Sequence, residues 1–179
     1  MSALTIPHRT SPASAVSRDQ TRPRLCFGRL VKHADSMWLV CTDSYIAVAI
    51  EQPADSGLVE GWVPRAAMRR DVEQVDASKW EARDYEQVVT YEMRGTLGDF
   101  PDFAKVNGGL LFDEDAPPKS STVGLDPKLF AKIGRALGGP LKIETFGAEK
   151  PVRVSVPPMA GAWMRRFGLI MPWLVEDTP

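Results

Sequence analysis

Reactive side chains are scarce in this chain. Histidine and cysteine occur twice each in 179 residues. His8 lies in an amino-terminal stretch without periodicity, His33 lies in a polar turn, and Ser44 has no Gly-x-Ser-x-Gly elbow around it. Phosphate-loop and dinucleotide-binding glycine patterns are missing too. The sequence therefore offers no constellation for an enzyme, with no catalytic residue, cofactor or metal-ligand set to assign. The acidic triplet Asp113-Glu114-Asp115, beside Pro117-Pro118, reads as a solvated loop before it reads as a Mg²⁺ site. Cys26 and Cys41 fall in apolar, strand-like segments, which favours buried reduced thiols over a disulfide framework. No apolar run approaches the roughly 20 residues that span a bilayer, and the amino terminus lacks a hydrophobic signal core, so no membrane partner and a cytoplasmic location are expected. A charge excess is also absent. The 22 basic and 23 acidic side chains leave a formal charge of -1, so any nucleic-acid contact requires local clustering of Lys and Arg.

What the chain does have is enough apolar content, 44%, for one good core. Residues 1–23 mix Ser, Thr, Pro, Arg and Gln without a sustained period and predict a mobile arm, with Leu4-Thr5-Ile6 as its one candidate strand. A first unit follows over residues 24–106. Short β-rich runs from Leu25 to Ile50, broken by His33-Ala34-Asp35-Ser36, predict antiparallel strands. Pro64 is placed to open a short helix running to about Val72, and strand-like alternation returns over 79–98. Residues 107–120, with Asn107-Gly108-Gly109 and Pro117-Pro118, predict a linker loop. The second unit, 121–176, opens with Asp126 as N-cap and Pro127 at the first helical position, and its helix should stop at Gly138-Gly139-Pro140. Alternation over 141–145 and 152–156 gives two half-buried strands, and Phe167 to Val175 gives a last one. Strand, helix and three strands thus recur in a weak internal repeat of pattern.

On the second helix Lys128, Lys132 and Arg135 share one face, while Leu129, Phe130, Ile133, Ala136 and Leu137 share another. Arg65 and Arg69 share a face of the first. Such faces can track phosphates without reading bases, although a basic helix face is more often simply solvated.

Four separated motifs carry a family resemblance. Thr42-Asp43-Ser44-Tyr45-Ile46-Ala47, Val63-Pro64-Arg65, Phe100-Pro101-Asp102-Phe103 and Met171-Pro172 resemble, in this order, the Thr-Asp-Gly-His-Arg-Leu, Val-Pro-Arg, Phe-Pro-Asp-Tyr and closing Met-Pro segments of the bacterial DNA polymerase III beta sliding clamps. The resemblance covers about residues 24 to 176 and implies an α+β fold of antiparallel sheets with short helices on one face. It also implies a hydrophobic pocket for partner peptides ending in leucine and phenylalanine, carried by DNA polymerase or other replication proteins. By motif the pocket residues are Thr42, Tyr45, Ile46, Ala47, Pro101, Lys105, Val106, Leu129, Val152, Met171, Pro172 and Trp173. The residues facing double-stranded DNA, if a ring forms, are Arg65, Arg69, Lys128, Lys132 and Arg135.

The departures shape the expectation. Clamps have three domains, and this chain is too short for them; Ser44, Ile46 and Ala47 stand where the family has Gly, Arg and Leu. The resemblance implies a minimal clamp of the kind a phage or mobile element encodes, which encircles DNA only as a homo-oligomer and then acts as a processivity factor. The alternative is a clamp-fold regulator or decoy that binds replication or transcription proteins without encircling DNA. Leu110-Leu111-Phe112 itself has a clamp-binding ending and is a minor candidate to occupy a neighbouring copy's pocket.

Overall fold

The computed structural model describes residues 3–7, 9–68, 86–90, 99–113, 115–157 and 164–172. Nine strands and one α-helix are named among them: β1 (Ala3–Pro7), β2 (Gly28–His33), β3 (Ser36–Thr42), β4 (Ile46–Glu51), β5 (Gly61–Val63), β6 (Glu86–Thr90), α1 (Pro127–Leu137), β7 (Lys142–Glu144), β8 (Val152–Ser155) and β9 (Arg166–Ile170). Seven strands form one antiparallel sheet in the order β5-β2-β3-β4-β9-β8-β7, and β1 pairs with β6 in a separate ladder. The two stretches read from sequence as separate units meet inside this sheet, where β4 runs antiparallel to β9 with Val48 opposite Gly168.

Period-two alternation assigns each strand residue to a face. Leu39, Cys41, Ile46, Val48, Val154 and Ile170 face α1, whose Ile133, Ala136 and Leu137 are fully buried against them. Trp38, Val40, Ala47, Ala49 and Leu169 point to the opposite face. The helix begins where its sequence signals require. Asp126 caps it, accepting from the Lys128 amide at 2.7 Å, and Pro127 needs no amide partner there. It ends at Gly138, whose φ of 63° is easy only for glycine and whose missing side chain leaves room for the Arg9 carbonyl.

Three expectations are corrected. The first concerns the amino-terminal arm, which is part of the core: Leu4, Ile6, Ala13, Ala15 and Val16 are buried against α1 and the sheet. Backbone bonds hold it there, with the Ser11 amide donating to the Arg135 carbonyl at 2.9 Å and the Thr5 amide to Gln52 Oε1 at 3.0 Å. Small side chains suffice because the segment runs close under the helix, and a 3₁₀ turn at Pro12–Ser14 shows no helical period. The second concerns the 107–120 linker. Leu110 and Leu111 are buried, and with Phe100, Phe103 and Phe112 they cover the sheet face opposite α1. The Leu110-Leu111-Phe112 triplet is therefore committed to its own chain, with Phe112 stacked on His33 at 4.4 Å and edge-on to Trp38. The third concerns Cys26, which ends a 3₁₀ turn at Pro23–Cys26 and is only partly buried; Cys41 is fully buried, and burial pushes its thiol pKa upward.

The second layer is tied to the far side of the sheet by Arg153. Its guanidinium pairs with Glu144 at 3.1 Å, lies over the Phe146 ring and donates to the Asp113 carbonyl. Burial alone would raise the Glu144 carboxyl, but the bonds from Lys142 and Arg153 outweigh it and hold its pKa below the usual carboxylate range. A depressed carboxyl stabilises fully above its unfolded value and loses that contribution as pH falls through the lower folded value. Glu144→Ala should therefore cost about 3 kcal/mol at pH 7, because it strands a buried guanidinium. Melting curves of the two proteins should converge as pH falls below about 4.

Candidate functional site

Three segments converge at one end of the central strands. The first is the β3–β4 turn. Thr42 Oγ1 donates to the Ile46 carbonyl at 2.7 Å and accepts from the Ser44 amide at 3.1 Å. Asp43 Oδ1 accepts from the Tyr45 and Ile46 amides at 2.9 and 3.0 Å. Its other oxygen receives the Lys132 ammonium of α1. One carboxylate thus fixes the turn and anchors it to the helix, and Tyr45 is left outward and 59% exposed.

The second segment is 99–106. Asp102 folds it back: its carbonyl accepts from the Lys105 and Val106 amides at 3.0 and 2.9 Å, and its Oδ1 accepts from the Ala104 amide. Phe103 turns inward and Pro101 stays at the surface. The third is the end of β9, where the Met171 amide donates to the Tyr45 carbonyl at 3.0 Å and so joins the strand end to the turn.

Between them lies a cleft of about 230 Å³. Ala47, Phe103 and Leu169 contribute buried surface to it, while Tyr45, Val106 and Met171 stand at its rim. Five large hydrophobic side chains are exposed among the described residues, and three of them are these rim residues. An apolar patch gathered at a concavity is the usual mark of an interaction site, whereas scattered exposed apolar residues are not.

Seven of the twelve sequence-expected pocket residues line the cleft: Thr42, Tyr45, Ile46, Ala47, Pro101, Val106 and Met171. Four others do not. Lys105 points to solvent and pairs with Asp102 at 3.0 Å, and Val152 is fully buried core opposite Ile170. Leu129 packs on the core under α1, and Pro172 follows Met171 without lining the wall. Trp173 lies outside the described residues. Leu25, Ser44, Phe103 and Leu169 complete the lining and had no place in the sequence assignment. Phe103 stood inside a recognised motif, and Leu169 lay within the last apolar run, so a signal existed for both.

The basic face is less uniform than its spacing suggested. Lys128 and Arg135 are exposed, but Lys132 is ion-paired with Asp43. Arg65 is half-buried on a 3₁₀ turn (Arg65–Met68), and Arg69 lies outside the described residues. No cluster of three or more His, Cys, Asp or Glu able to hold a metal occurs among the described residues, and none of their helices is long and apolar enough to cross a membrane.

The sequence matches no protein-family model and no curated protein. The structure does match solved structures. It superposes on the DNA polymerase sliding clamp of Bacillus subtilis with a TM-score of 0.58 at 16% identity, over 97% of this chain and 64% of that one. The DNA polymerase III beta subunit of Thermotoga maritima gives 0.58 at 10%, over 98% and 66%. The sliding clamp of Bartonella birtlesii, solved bound to griselimycin, gives 0.57 at 13%, over 97% and 66%. The chain has the sliding-clamp fold, in an α+β form with a seven-stranded antiparallel sheet and one α-helix among the described residues. It spans less than two thirds of the length of these clamps.

Proposed function

We propose that this chain is a clamp-fold binding protein of DNA replication whose cleft captures short partner peptides ending in leucine and phenylalanine. The observation that carries the reading is the meeting of Tyr45, Pro101 and Met171, from three distant segments, around one apolar concavity. Its chemistry suits the ligand: Ala47 and Leu169 leave an apolar floor, Met171 is an adaptable wall, and Pro101 stiffens the rim. Partners are DNA polymerase or other replication proteins that display such a peptide. Binding, not catalysis, is its role.

Tyr45 is the residue to test. Its side chain is exposed while its amide is held by Asp43, so Tyr45→Ala should leave the melting temperature within about 1 °C, as surface changes usually do. Calorimetry with a Leu-Phe-terminated peptide should show the affinity reduced about 5- to 30-fold, the usual range for an interface aromatic. Equal binding by both proteins would remove Tyr45 from the site, and no binding at high micromolar peptide would remove the cleft.

A second reading, a regulator that captures partners without encircling DNA, is favoured by the Lys132–Asp43 pair, which leaves Lys128 and Arg135 as the exposed cations of α1. Encirclement requires several copies. Retention on closed circular but not linear DNA, with an oligomeric mass by light scattering, supports the ring; a monomeric mass with peptide binding supports the regulator.

A further inference from the structure

The apolar cleft does not end at its rim. A wider groove of about 690 Å³ continues from it, and the two share Leu25, Ser44 and Pro101 as a common wall. The chemistry changes across that wall. Arg22 and Arg24 line the groove from the segment before β2, and Asp99 is the one acid in its lining.

Both arginines are exposed and loosely anchored. Arg22 donates to Ser44 Oγ at 3.4 Å, and Arg24 donates to the Asp99 backbone carbonyl at 3.0 Å. Neither is ion-paired with a carboxylate among the described residues. The nearby Asp19 carboxylate is bonded to the Thr21 amide and hydroxyl at 3.0 and 2.7 Å and feels the Arg22 charge without forming an ion pair with it. Two guanidinium groups therefore stand at the mouth of an apolar cleft with donor capacity left, in a chain whose overall charge is close to zero. Guanidinium forks match carboxylates in bidentate geometry, so the complementary ligand is an anionic side chain reached from the cleft.

We infer that the groove takes an acidic stretch of the same partner segment, so that the preferred ligand carries Asp or Glu residues immediately upstream of its Leu-Phe ending. The inference rests on the peptide reading of the cleft and adds a charge requirement to it. Ser44 marks the crossing point: it lines both concavities and its hydroxyl accepts from Arg22. The acidic part should raise the association rate and set partner choice more than it raises affinity.

Three synthetic peptides with one Leu-Phe ending, preceded by four Ser, four Glu or four Lys, separate the two ideas. Titrated calorimetrically at low salt, the Glu peptide should bind about 5- to 20-fold tighter than the Ser peptide, the sum of two exposed ion pairs, and the Lys peptide weaker than either. The Glu-over-Ser advantage should shrink in about 0.5 M NaCl and collapse in the double variant R22S/R24S, whose melting curve serves as the folding control. Equal affinities for Glu and Ser peptides, or an advantage that survives the double substitution, would overturn the charge requirement while leaving the cleft intact. No binding by any peptide would overturn both. A single-stranded oligonucleotide that displaces the Glu peptide from the wild type would assign the groove to phosphates instead.

Discussion

Alanine in place of Gly168 is expected to cost about 1–3 kcal/mol and to lower the melting temperature by roughly 2–10 °C for a chain of this size. Gly168 lies in mid-strand on β9, between Val48 of β4 and Val154 of β8, on the face that meets α1. A Cβ there would overlap Ile133 Cδ1 and stand 3.0 Å from Ile133 Cγ1 and 3.1 Å from the Ala47 carbonyl oxygen. The carbonyl belongs to the strand ladder and cannot move, so the helix must lift or Ile133 must leave its rotamer. Lifting α1 would also strain the Lys132–Asp43 anchor that holds the β3–β4 turn. The pair with Ile133 makes the prediction specific. Ile133→Val removes the overlapping methyl and should itself cost about 0.5–1.5 kcal/mol, and the double variant should be more stable than the sum of the two losses by at least about 0.5 kcal/mol. Strict additivity in denaturant melts would show that the helix does not rest on Gly168.

Phe103→Ala should be the larger loss, about 3–4 kcal/mol, because it empties a buried aromatic site in the layer that covers the sheet opposite α1. The Phe103 ring sits 6.0 Å from Phe100, which in turn meets Trp62 edge-on at 5.4 Å. The same ring lines the cleft, so stability and binding should fall together, with peptide affinity down by more than about tenfold at a temperature where the variant is folded. Phe103→Leu separates the two effects. It retains most of the buried volume, and should lose about 1 kcal/mol of stability while changing the shape of the cleft wall. A cost below about 1 kcal/mol for Phe103→Ala would mean that segment 99–112 does not pack on the sheet.

The parts of the fold that were legible in the sequence are those with a strong local signal. The Asp126-Pro127 start and the Gly138 stop delimit α1 as observed, because capping and glycine termination are decided within a few residues. Strand alternation located β2, β3, β4, β8 and most of β9 for the same reason. What escaped depends on distant partners. Residues 10–16 carry small side chains and a 3₁₀ turn, so the burial of Ala13, Ala15 and Val16 under α1 leaves no periodic trace. Leu110 and Leu111 sit between glycines and prolines that advertise a loop, yet the exposed sheet face opposite α1 needed a cover. The Lys132–Asp43 pair spans 89 positions, and helical spacing alone gave Lys132 to solvent.

The cleft shows the same division. Its turn, proline and methionine residues came from short motifs, and the structure gathers six of them, together with Val106. Leu25 and Leu169 were read only as strand-run residues and Phe103 only as part of a motif, since alternation cannot distinguish a core position from a pocket wall at the end of a sheet. Arg22 fell in the stretch taken as mobile and Arg24 at the first position of the unit after it, and neither belonged to a motif, so nothing in the sequence placed them beside the cleft.

The central claim is that a leucine-phenylalanine peptide seats between the β3–β4 turn, segment 99–106 and the end of β9. Amide hydrogen exchange on the full chain, with and without saturating peptide, tests it most directly. The account predicts slowed exchange confined to residues 24–25, 42–47, 102–106 and 169–171, with α1 and the β7 edge unchanged. Protection elsewhere on the sheet, or none anywhere, would contradict it.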